Sequence, residues 1–363
     1  MSRILFALIL TALSVTTALA DLKQQDVASW IESLGGKYSR NEAGEITAVD
    51  LRNAWLTDAD LEKLAHLPKL ESINLAYTKI TDLALEQLKP LENVKDLNLY
   101  YAEYVTDSGV AHLKAWKNLE HLDVCGTKVT STVFEHVANM TKLKSLDVGF
   151  SRVTDDGFEH LSGLEHLERL SFGGNKMSGV ALPILKLLPS LRELSVSGGQ
   201  RTDSGTWSVS ITDFNLDNII QLEQLEVLNL GETSVTDRGV AKLAQMKNLT
   251  TLDLRRTMVT GKGLAALADL PKLRHLKLWH AERIDDAAIP HFVGMKNLET
   301  LELPETGISG EGLARLAEMK QLKKLYIGGT AVTAEQVAAF RKASPDCLIT
   351  WWEKFEVPER IEQ

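Results

Sequence analysis

The sequence predicts an α/β solenoid of about twelve repeats, with parallel strands on a concave face and short helices on the convex face. Three observations carry that expectation. A strand-like L-x-L core recurs in one phase, at rows of about 24 residues. A V-T-D-like helix-start signal follows most cores, and an apolar stripe spaced by three follows the signal. Units begin near residues 46, 70, 94, 119, 143, 167, 191, 225, 249, 273, 298 and 322.

The first element is segment 1–20, with Arg3, an apolar run from Ile4 and Ala18-Leu19-Ala20 at its end. A basic start, a run too short for a membrane span and a small-x-small site predict a cleaved export signal. No Cys follows the site, and no later stretch is apolar enough to span a bilayer. The expectation is a soluble chain, periplasmic or secreted. Residues 21–45 read as an N-terminal cap. A helix from Gln24 to Leu34 buries Val27, Trp30 and Ile31, and a hairpin sets Lys37–Arg40 against Glu45–Asp50.

The repeats occupy 46–345. LESINLAYTKITD from Leu70 has the pattern of LKSLDVGFSRVTD from Leu143 and LEVLNLGETSVTD from Leu225. Ile73 and Leu75 point inward, and Asn74 between them points out, which makes a short strand. The Thr of V-T-D is a helix N-cap, and the Asp after it suits the positive helix end. Leu85, Leu88 and Leu91 make one apolar stripe on a helix too short to stand alone. Stacking buries the stripes of neighbouring units. Strands pack ~4.8 Å apart and helices ~8–10 Å apart, so the array curves into a horseshoe with its strands inside. Residues 346–363 read as a C-terminal cap strand and tail, with Trp30, Trp351 and Trp352 as cap core.

This wording resembles the leucine-rich-repeat family, in its bacterial, helix-bearing form, over residues 46–345. The resemblance implies a ribonuclease-inhibitor-like horseshoe that serves as a binding scaffold. It also implies, by analogy alone, a ubiquitin-ligase-like substrate receptor or a host-directed effector. No F-box-like segment precedes the repeats, and an export signal fits that role poorly.

Composition narrows the function further. The chain has 363 residues, 44% apolar and 25% charged, with a net charge of −9. That acid balance argues against a nucleic-acid partner. Cys125 and Cys347 lie some 40 Å apart by strand counting at ~4.8 Å per repeat, too far for a disulfide. No H-E-x-x-H, G-x-S-x-G, phosphate loop or CxxC is present. The expectation is no catalytic residue, no cofactor and no resident metal. His112, His136 and His160 form a column, one per helix, too widely spaced to share zinc. Asp123, Asp147 and Asp253, with Asn74, Asn98 and Asn229, occupy the outward strand slot. The slot reads as a solvated polar column, with a cation or a carboxylate pair at Asp123/Asp147 as the alternative.

Departures from the repeat mark the candidate site. Units 94 and 273 carry one extra residue after the strand, in Tyr100-Tyr101-Ala102-Glu103-Tyr104 and Trp279-His280-Ala281-Glu282-Arg283. Both set large amphipathic rings at the concave edge, the kind that anchor interfaces. Tyr77, His121 and Phe150 lie near the first patch; Arg255, Arg256 and Glu305 flank the second. The unit at 191 is longer by an insertion at about 199–210, polar with one ring, Trp207. Tyr77, Tyr100, Tyr101, His121, Phe150, Trp207, Arg255, Arg256, Trp279, His280 and Glu305 are the eleven expected contacts of a protein partner, with a polysaccharide or cell-wall component as the second reading and a monomer as the expected state.

Overall fold

A computed structural model describes residues 24–203 and 205–354; the predicted export segment 1–20 and the tail beyond 354 lie outside them. The chain divides into two compact units, up to Leu167 and from Glu168.

In the first unit, residues 24–33 are helical and bury Val27 and Ile31. Next come the antiparallel pair β1 (Lys37–Arg40) and β2 (Ile46–Asp50), with a register shift at Ser39/Arg40. Parallel strands β3 (Ser72–Asn74), β4 (Asp96–Asn98), β5 (His121–Asp123) and β6 (Ser145–Asp147) follow. Their register places like on like: Val49, Ile73, Leu97, Leu122 and Leu146 face one another in turn. Each apolar side chain so buried contributes roughly 1.5–3 kcal/mol.

The second unit repeats the plan with β7 (Arg169–Ser171), β8 (Glu193–Ser195), β11 (Val227–Asn229), β12 (Thr251–Asp253), β13 (His275–Lys277), β14 (Thr300–Glu302), β15 (Lys324–Tyr326) and β16 (Leu348–Thr350). The insertion does not break the ladder, because β8 pairs directly with β11. The inserted residues instead fold on themselves as β9 (Gly199–Thr202) and β10 (Gly205–Ser208), with Trp207 opposite Gln200.

The helix starts have a structural reason beyond the one the sequence suggests. Thr81, Thr106, Thr236 and Thr260 do cap, accepting the N–H two residues on. The Asp after them was expected to serve its own helix dipole. Its carboxylate also reaches the next repeat: Asp82 accepts from Thr106 N–H at 2.8 Å and Thr106 Oγ1 at 2.7 Å. Asp58 to Thr81, Asp107 to Thr130, Asp213 to Thr236, Asp237 to Thr260 and Asp286 to Ser309 repeat the motif. The glycine of T-D-x-G follows from this ladder. At Gly109, Gly239, Gly263 and Gly312 a Cβ would strike the preceding repeat's Asp carboxylate.

The outward strand slot corrects the expectation of a solvated column. Asn74, Asn98, Asp123, Asp147, Asn229 and Asp253 each accept the backbone N–H two residues on, at 2.8–3.0 Å. Asp253 is only 4% exposed. The slot is polar because the chain turns there and its N–H needs an acceptor.

Candidate interaction surface

The third residue after each strand is where the site is built. At that point the backbone takes φ of +50 to +57° at Tyr77, Tyr101, Phe150, Arg256, His280 and Glu305. In sister repeats the same position is Gly126, Gly174 or Gly329, also at positive φ. A side chain in left-handed backbone costs roughly 1–2 kcal/mol, so glycine is the residue the turn itself prefers. Six of the eleven predicted contacts stand at this one backbone position. In sequence they stand out by ring or charge; what unites them is the conformation.

In the first unit the tyrosines form one cluster. Tyr77 and Tyr101 stack at 5.8 Å, and Tyr100 meets them edge-on at 5.2 and 4.7 Å. Burial, then hydrogen bonding with Tyr77, pushes the Tyr100 phenol well above its usual range. Gly126 makes the cluster possible, since a Cβ there would lie 2.8 Å from the Tyr101 ring. Tyr77 remains 53% exposed. Two rings the sequence reading did not select extend the surface: Trp55, 82% exposed, under the Lys79 ammonium at 5.2 Å, and Tyr104 under Lys128 at 4.9 Å. Both occupy the outward slot that holds Lys79 and Lys128 in the following repeats, so the repeat register was the available signal. A recess of about 480 Å³ runs between Asn53, Trp55, Tyr77 and Lys79.

In the second unit the same position carries charge. His280 Nδ1 lies 2.7 Å from Glu305 and its Nε2 3.2 Å from Glu282. Hydrogen bonding with His280, and then with Trp279, holds the Glu305 carboxyl below its usual range. The Arg256 guanidinium sits 5.5 Å from the Trp279 ring centroid. A recess of about 560 Å³ is lined by His280, Glu282, Glu305, Thr306 and Trp352. Trp352, read from sequence as cap core, is 42% exposed. It packs flat over Gly328, where any Cβ would enter its ring, and shows its other face to solvent. Trp351 is half-buried and donates its indole N–H to Val332 O. Trp30 is half-buried beneath the Lys63 ammonium.

The extra residue of units 94 and 273 has the same solution in both. Ordinary repeats bury a threonine whose hydroxyl donates to the carbonyl of the first residue past the strand, as Thr78 to Leu75 O and Thr257 to Leu254 O. Ala102 and Ala281 replace it, and their N–H groups reach Leu99 O and Leu278 O at 2.8 and 3.0 Å. A side-chain bond becomes a backbone turn.

Three predicted residues lie elsewhere. His121 is on β5, 3.7 Å from Asp96 on the strand face. Arg255 folds back to Asp253, its Nε 3.3 Å from Oδ2 in an ion pair too poorly aligned for a hydrogen bond. Trp207 is half-buried in its own hairpin. Of the histidine column, His136 is buried and its imidazole pKa is lowered by that burial, while His160 lies 3.9 Å from Glu135. Cys125 and Cys347 are free and buried.

The fold and these rims define an α/β solenoid whose turns present side chains outward. The Leucine Rich repeat family model matches residues 139–162 and 245–268. Among solved structures, an internalin from Listeria monocytogenes is similar at 18% identity, covering 87% of this chain and 91% of that one, with a TM-score of 0.57. A leucine-rich-repeat protein of Leptospira interrogans is similar at 18% identity, covering 80% and 74%, with a TM-score of 0.53. No curated protein matches the chain. Among the described residues no helix is long and apolar enough to cross a membrane.

Proposed function

We propose that this chain is an exported, non-enzymatic scaffold that binds a protein partner through the rims at its strand ends. One observation carries the reading. Rings and charges stand in left-handed backbone where sister repeats use glycine, a cost of roughly 1–2 kcal/mol each that folding does not require. Strain kept at particular positions of a regular array points to selection for what those side chains touch. Tyr and Trp bring large contact area with few rotatable bonds, which suits interface anchors. The export signal read at 1–20 sets the compartment, periplasmic or extracellular.

The test is affinity capture from extracellular extract with wild type and a Tyr100→Ala/Tyr101→Ala/Trp279→Ala variant. A folded variant that recovers the same partner in the same amount removes these residues from the role. A polysaccharide partner is the second reading. It is favoured by the open Trp352 face beside Glu282 and Glu305, a ring next to hydroxyl acceptors. Glycan-array binding abolished by Trp352→Ala, with protein capture unchanged, would select it.

A further inference from the structure

Below the tyrosine cluster, the strand face gathers three metal-ligating side chains. The register of β5 and β6 sets Asp123 beside Asp147, and Cys125 follows two residues after Asp123. One donor atom from each lies within 4.8 Å of the other two. The fold does not need this set. The slot's structural task is to accept a backbone N–H, and Asn74 and Asn98 do that in the two preceding repeats. Two adjacent carboxylates therefore add repulsion that amides would avoid. The position of Cys125 is Ala76, Tyr100 and Gly149 in the surrounding repeats, so no fixed residue type is required there. Its thiol is 5% exposed, has no hydrogen bond of its own among the described residues, and faces the two carboxylates. A recess of about 390 Å³, lined by Asn98, His121, Asp123, Ser145 and Asp147 among others, opens onto the pair from the strand face.

We propose that Asp123, Cys125 and Asp147 bind a zinc-class divalent ion, with a fourth position open to the strand-face recess. The donor set selects the metal. Thiolate with carboxylate suits a borderline ion such as Zn²⁺, whereas Ca²⁺ and Mg²⁺ take oxygen ligands and would leave the sulfur idle. Each aspartate spends Oδ1 on a backbone N–H, at 3.0 Å for Asp123 and 2.8 Å for Asp147. That bond orients each carboxylate, as outer-shell partners do at metal sites. Zn–S of ~2.3 Å and Zn–O of ~2.0–2.2 Å bring donors to roughly 3.5 Å from one another, a closure of about 1 Å that side-chain rotation supplies. The ion neutralises the carboxylate repulsion and displaces the thiol proton to solvent.

The test is calorimetric titration of the purified full chain with ZnCl2, and absorption spectra with Co²⁺ in its place. The expected result is one ion per chain and a sulfur-to-cobalt charge-transfer band. Cys125→Ser removes the band and weakens Zn²⁺ binding at least tenfold. Asp147→Asn keeps the turn, as asparagine does at 74 and 98, and weakens binding to a similar degree; Asp253→Asn leaves it unchanged. Circular dichroism verifies that each variant is folded, and if Cys125→Ser is not, Asp147→Asn decides. Absence of stoichiometric uptake, uptake unaltered by Asp147→Asn, or a cobalt complex without the sulfur band overturns the proposal. Each readout is independent of any protein partner.

Discussion

The two rims start from the same backbone and reach different chemistry. Each has one extra residue, a buried alanine in place of threonine, and bulky side chains at positive φ. In the first unit, Tyr77, Tyr100 and Tyr101 satisfy one another by ring packing. In the second, His280 is held between Glu282 and Glu305, and Trp279 lies against Arg256. The strand faces below differ likewise: Asp253 is matched by Arg255 at 3.3 Å, while Asp123 sits beside Asp147. The turn is thus a generic mount, and the side chain placed on it decides whether the rim works by apolar area or by charge. A rim of the first kind should bind strongly and ignore salt; a rim of the second kind should respond to salt and acid.

The largest expected effect tests the first half of that contrast. Tyr77→Ala/Tyr101→Ala should weaken partner binding by ~2 kcal/mol or more, some thirtyfold, as hot-spot rings do. Surface plasmon resonance at low and high salt should show the loss at both. A loss confined to low salt would put the first rim in the same class as the second.

Next comes the strand face. Burial first, and then Asp147, push the Asp123 carboxyl up from 3.8 to about 7. Between those values the folded chain holds a proton that the unfolded chain has released. Stability should therefore fall as pH rises from about 4 to about 7 and stay reduced above that. Asp123→Asn, measured without added metal, should flatten this dependence and raise stability at pH 8 by on the order of 2 kcal/mol. Thermal melts across pH decide it; an unchanged profile would mean that the carboxylate is better solvated than its burial implies.

A smaller effect probes the mount itself. Phe150→Gly should relieve left-handed strain worth roughly 1 kcal/mol, offset by the lost ring contact and a more flexible unfolded chain, leaving stability within about 1 kcal/mol of wild type. Urea denaturation measures the difference. A loss of several kcal/mol would show that the ring at 150 packs as core.

The smallest expected effect falls on the charged rim. His280→Ala should cost less than ~1 kcal/mol of stability, since its ion pairs are exposed and screened. With its carboxyl held below the usual range by His280, Glu305 keeps its charge into mild acid, and its contribution is lost only as pH falls through that lowered value. Chemical denaturation from pH 7 down into acid should therefore separate wild type from His280→Ala at neutral pH, and less as the pH falls.

Much of the architecture was legible because the repeat is local chemistry restated. The L-x-L alternation, the Thr cap and the three-spaced leucines each constrain a few adjacent residues, and one phase shared by twelve rows fixes which strands are neighbours. The candidate rings were legible as departures from that pattern. Trp55 and Tyr104 were missed because their slot varies freely between repeats, as Lys79, Lys128, Ser234 and Gly307 show. Trp352 was missed because a tryptophan beside a terminal strand reads as core.

Sequence by itself determined the strand phase, the helix starts and the two places where a residue is added, since each follows from spacing along the chain. Only the folded structure decided that the third residue after the strand is left-handed, and that Asp82 serves Thr106 in the following repeat. It likewise decided that a thiol faces two carboxylates from neighbouring strands. Those outcomes depend on the separation of atoms some 24 residues apart, which stacking sets and periodicity along a single chain does not contain.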